Sequence, residues 1–138
     1  MSSTNSSLDA VPQLQEIRSA FLHLHKALLN FERKHYEQLH GRMANSGEFF
    51  RLVVNDQWFS WLRPMSQFIV EIDELLAAKE PITEDQVKAL LQTARELTRP
   101  AKEGNFQEQR YFQAIQGEPE IAMLHAEAAA VLAANPQP

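Results

Sequence analysis

Five polar side chains fall inside apolar helical stripes of this chain, and their types and spacing could do chemistry: His25, Glu32, His35, Tyr36 and His125. With about 100° of turn per residue, Glu32 projects on the side of Leu14, His35 on that of Phe21 and Leu28, and His125 on that of Ile121, Ala128 and Leu132. Glu32 and His35 make a Glu-x-x-His pair, the spacing by which helical bundles place a carboxylate and an imidazole on one metal ion. A di-metal carboxylate site needs a second such pair on another helix. Glu37 with His40 repeats the spacing, but on the same helix and on its outer side. What remains is a mononuclear zinc or iron site from His25, Glu32, His35 and His125. The stronger reading of the same residues is a buried hydrogen-bonded network that fixes helix register, so no cofactor is expected.

Other catalytic constellations are missing. The chain has no cysteine, which removes thiol catalysis and thiolate zinc sites. Ser60 and Ser66 have no histidine nearby in sequence, and there is no Gly-x-Ser-x-Gly elbow. Phosphate-cradling glycine loops are absent as well. Glu71, Asp73 and Glu74 alternate with Ile72 and read as a solvated helix flank. A non-enzymatic role is therefore the expectation.

The second concentration of chemistry is aromatic. Phe49, Phe50, Trp58, Phe59, Trp61 and Phe68 fall within one short stretch and occupy more than one helix face. A helix apolar on several faces must bury them against its own chain or against another molecule. Phe50, Trp58, Phe59 and Trp61 are the expected interaction surface, serving a homodimer or another protein partner. A small-ligand cavity between the first and third helices is the further alternative, with Tyr36 and Arg63 as polar anchors.

These residues need a scaffold, and the apolar spacing specifies one. Leu14, Ile17, Phe21, Leu24, Leu28 and Phe31 predict a long helix from about Asp9 to His40, tolerating Pro12 in its first turn and ended by Gly41. A short helix follows Ser46 to about Val54, and Asn55 or Asp56 caps a third, about Gln57 to Lys79, bent at Pro64. Thr83 with Gln86 forms a capping box flanked by an Ile82 and Val87 staple, opening a fourth helix to Arg99. Asn105 with Glu108 opens a short fifth that stops at Gly117, and Pro119 opens the last, closed by Asn135 and Pro136. No segment alternates like a strand. The expected fold is all-α, one domain over residues 1–138. Four main helices form an antiparallel bundle with two short additional helices, and residues 1–8 and 134–138 are flexible.

Composition bounds the partners. The 138 residues carry 13 Lys plus Arg against 18 Asp plus Glu, a net charge of −5, which argues against nucleic acid as a partner. No apolar run is long enough to span a membrane. Met1 to Ser7 lacks the pattern of a signal peptide, so a cytoplasmic location is expected.

Three segments, LHKALLNFERKHYEQLHG at 24–41, NDQWFSWLRPMSQFIVEIDELL at 55–76 and RYFQAIQGEPEIAMLHAE at 110–127, together resemble a family of uncharacterised small all-helical proteins of bacterial genomes. The resemblance implies a helical bundle of bacterial, cytoplasmic origin. It carries no reaction, cofactor or catalytic residue with it.

Overall fold

The computed structural model describes the backbone of residues 2–134 and the side chains of residues 10–134. Among the described residues all regular structure is helical, with no strand. The order is α1 (Ser2–His40), α2 (Ser46–Asn55), a 3₁₀ helix η1 (Gln57–Leu62), α3 (Arg63–Ala77), α4 (Glu84–Leu97), α5 (Phe106–Gly117) and α6 (Pro119–Ala133). The all-α class read from the spacing holds. Residues 135–138 of the expected C-terminal tail lie outside the described residues.

The long first helix organises the molecule. All six residues of its expected stripe, Leu14, Ile17, Phe21, Leu24, Leu28 and Phe31, are buried, together with Ala10 and Ala27. This face packs on α6, α3, α4 and η1. Phe21 meets Phe68 of α3 with ring centroids 4.9 Å apart, and Arg18 pairs with Asp73 across the same seam. Met65, Ile69 and Ile72 of α3 join Val87, Leu90, Leu91 and Ala94 of α4 and Ile121, Ala128 and Leu132 of α6 in one continuous core. The helix begins at Ser2 rather than Asp9, so Pro12 sits inside it rather than in its first turn.

Helix ends follow the local chemistry. Gly41 adopts φ +89°, the left-handed conformation that ends α1, and its N–H donates to the Glu37 carbonyl at 2.9 Å. Glu37 also accepts the Met43 N–H at 2.9 Å, and that bond holds its carboxyl below the usual carboxylate range, with Arg33 and Arg42 adding to it. Both expected capping boxes are present, Thr83 with Gln86 and Asn105 with Glu108. At α2 the cap is Asn45 instead of Ser46, because its carboxamide accepts the Glu48 N–H at 2.9 Å.

The main departure lies at Pro64. In place of one bent helix from 57 to 79 there are two elements, with Pro64 in the first turn of α3. An α-helical residue 64 would donate to the carbonyl of Ser60, and proline has no N–H to give. The Ser60 carbonyl accepts from Arg63 instead, one residue earlier. That tighter bond continues the 3₁₀ winding of η1, which Asp56 starts by accepting the Trp58 N–H at 2.8 Å.

Gly41 gives a direct test of the α1 terminus. No heavy atom lies within 4 Å of where a Cβ would stand, so Gly41→Ala meets only the backbone cost of a left-handed L-residue. A loss of about 1–2 kcal/mol in unfolding free energy is expected; an unchanged chemical-denaturation midpoint would show that the turn is not held in this conformation.

Candidate functional site

Glu32 has no exposed surface, and its carboxylate accepts from three side chains of two other elements. Trp58 Nε1 donates to Oε1 at 3.1 Å, and Trp61 Nε1 donates to Oε2 at 2.7 Å. From α5, Arg110 Nη2 reaches Oε1 at 2.6 Å and Oε2 at 2.5 Å, and its Nε reaches Oε2 at 3.1 Å. The two indoles converge because η1 is a 3₁₀ helix. At three residues per turn, positions three apart eclipse each other, so Trp58 and Trp61 present their N–H groups to the same carboxylate.

A pocket of about 360 Å³ opens beside this cluster, at the C-terminal end of α1. Helix α1 contributes His35, Gln38 and Leu39, η1 contributes Gln57 and Trp58, and α5 contributes Phe106 and Arg110. Two of these are large apolar side chains left in water: Leu39 is 71% exposed and Phe106 is 64% exposed. Trp58 and Arg110, by contrast, are pinned from behind by Glu32. The polar groups on the wall are the carboxamides of Gln38 and Gln57, the imidazole of His35 and the guanidinium of Arg110.

The structure separates the four expected metal ligands. Glu32 is inward as expected and is engaged by Trp58, Trp61 and Arg110. His35 is exposed, not core-facing. The last turns of α1 are covered by η1 on one side, where Tyr36 packs on Trp58 and Phe59 with centroids 5.6 and 5.9 Å away, while His35 borders the open pocket. His25 lies elsewhere, in a pocket of about 200 Å³ with Val53, Leu62 and Arg63. His125 lies in an open groove between α4 and α6, where its Nδ1 is 2.6 Å from the Tyr111 hydroxyl. Among the described residues no group of three or more His, Asp or Glu side chains could hold a metal ion.

The aromatic surface is also rearranged. Phe59 and Trp61 are buried rather than on a face: Trp61 turns to Glu32 of α1, and Phe59 packs on Tyr36 of α1 and Phe49 of α2. Trp58 is half-buried, and of the four expected surface residues only Phe50 is fully presented, 67% exposed, with Val54 one turn further on. Arg63, the other expected polar anchor, borders the His25 pocket and is held by backbone carbonyls. Its Nη2 donates to the Asp56 carbonyl at 2.8 Å and its Nε to the Val53 carbonyl at 3.4 Å, which ties the end of α2 to η1.

Arg110, Phe106, Leu39, Gln38 and Gln57 complete the site without having been singled out by type and spacing. The available signal is Glu32 itself: an inward carboxylate requires donors and a cation from elsewhere. Nothing in the spacing of residues 106–110 says that α5 delivers them.

Comparisons with family models, with curated proteins and with solved structures find no match. Fold and site define an all-α protein with a ligand-sized pocket built on a buried carboxylate.

Burial pushes the imidazoles of His25 and His125 below their ordinary value of 6.5, the first partly offset by its hydrogen bond to the Leu62 backbone. Burial also pushes the Tyr111 hydroxyl up, so Tyr111 keeps its proton beside His125, whose Nδ1 shares a hydrogen bond with it. The folded chain therefore binds fewer protons than the unfolded chain near these values. Their contribution to stability is full above about pH 6.5 and is lost as the pH falls through the depressed folded values. Melting temperature is expected to drop between about pH 7.5 and about pH 5, and the double substitution His25→Gln with His125→Gln to flatten that slope; an unaltered slope in the double variant would contradict the assignment. For the cluster itself, Glu32→Ala leaves Arg110 and two indole N–H groups without their acceptor. A cost of roughly 3–5 kcal/mol in urea unfolding is expected, and a cost under about 1 kcal/mol would show that the carboxylate does not hold these elements together.

Proposed function

We propose that this protein is a non-enzymatic binding module whose working site is the pocket between α1, η1 and α5. Its scaffold, in this reading, is an antiparallel bundle of α1, α3, α4 and α6, with α5 and η1 closing one end. A small, largely apolar ligand enters between Leu39, Trp58 and Phe106. The carboxamides and His35 meet its polar part.

The observation that carries this is the pairing of a rigid rear wall with an exposed apolar rim. Trp58 and Arg110 are fixed by a carboxylate with no exposed surface, so the wall is ordered before any ligand arrives and little freedom is lost on binding. Leu39 and Phe106 stand in water, and covering each by a ligand contributes roughly 1.5–3 kcal/mol at full burial.

A neutral apolar fluorophore, N-phenylnaphthylamine, tests it. The expected result is saturable, one-to-one enhancement of its emission, with Leu39→Ala and Phe106→Ala each weakening binding at least about three-fold while melting temperature stays within about 2 °C of the parent. Both side chains are exposed, so their loss separates binding from folding. Absence of saturable binding, or binding indifferent to both substitutions, overturns the assignment.

A further inference from the structure

Arg110 is the one permanently charged side chain on the pocket wall, and its charge is already matched. Nε and Nη2 both donate to Glu32, and Nη1 donates to Gln113 Oε1 at 2.8 Å. A ligand carboxylate or phosphate drawn to Arg110 would share the guanidinium with a buried anion and meet that negative charge at short range. A ligand ammonium would meet Arg110 itself. In either case the ligand's charge leaves water without an unpaired partner to receive it.

The remaining polar groups are of a different kind. Gln38 and Gln57 each offer a donor and an acceptor without formal charge, from two elements, α1 and η1, that line the pocket together. His35 Nδ1 lies 2.9 Å from the Phe31 carbonyl. A carbonyl only accepts, so Nδ1 carries the hydrogen and Nε2 of the neutral ring is left as an acceptor.

We infer that the pocket takes an uncharged ligand with an apolar ring body and an amide-like polar edge, one donor beside one acceptor, read by Gln38, Gln57 and His35. This rests on the pocket being a ligand site as proposed above. Three indoles of similar size and different charge test it by calorimetry at about pH 8, above the ordinary histidine range: indole-3-acetamide, indole-3-acetate and tryptamine. The amide is expected to bind at least about ten-fold more tightly than the anion and the cation, and Gln38→Ala with Gln57→Ala to erase that preference while N-phenylnaphthylamine still binds. If the fluorophore binds but the acetate or the amine equals the amide, the inference falls and the binding site stands. If neither the fluorophore nor any indole binds, both fall.

Discussion

A carboxylate sealed from solvent must find its whole complement of donors inside the protein, and in this chain that requirement falls on Glu32. Stripping water from a carboxylate costs several kcal/mol even after the protein relaxes. The compensation comes from a bidentate arginine and two indoles, groups 26, 29 and 78 residues away in sequence. The indole bonds need α1 and η1 together, the guanidinium bonds need α1 and α5, and the carboxylate is fully matched only when all three are in place. The consequence is cooperative: α5, whose main neighbours are α6 and η1, is joined to α1 through Arg110, and the aromatic segment is joined to it through its tryptophans.

Pro64 stands upstream of that convergence. Because it cannot donate to Ser60, the preceding segment closes its bonds one residue sooner and winds with three residues per turn. In an α-helix, Trp58 and Trp61 would point about 60° apart, whereas in η1 they stand in line over one carboxylate. A proline that reads as a bend in a longer helix therefore fixes the geometry of two hydrogen bonds ahead of it. The capping carboxylate of Asp56 and the Arg63 bonds to the Val53 and Asp56 carbonyls hold the same segment from its other end.

Much of the scaffold was legible because it depends on near neighbours. The stripe of α1, the capping boxes at Thr83 and Asn105, the glycine turn at 41 and Pro119 at the start of α6 all involve residues no more than a few positions apart. Glu32 was legible as inward for the same reason. Its partners were not, since periodicity says which way a side chain points and nothing about which helix lies opposite. His35 illustrates the limit from the other side. It keeps the phase of Phe21 and Leu28, yet it is exposed and borders the open pocket. Phe59 and Trp61 read as surface and are buried, because α1 and α2 supply their neighbours, which periodicity within one segment does not reveal.

Exposed apolar side chains are ordinary in themselves, and this protein also presents Leu22, Val70 and Met123 to water. What sets Leu39 and Phe106 apart is their position: they line a concavity together with Arg110, a half-buried guanidinium paired with the buried Glu32. A hydrophobic core of this size could be completed with an apolar residue at position 32, and such replacements of buried ion pairs are often neutral or stabilising. Glu32 and Arg110 are thus poorly accounted for by stability alone. They do place an indole and a guanidinium in fixed orientations at a pocket wall and cancel each other's charge there. In the binding role proposed above, such a wall selects by shape and hydrogen bonding rather than by charge, and the geometry of the core and the lining of the pocket meet at the same carboxylate.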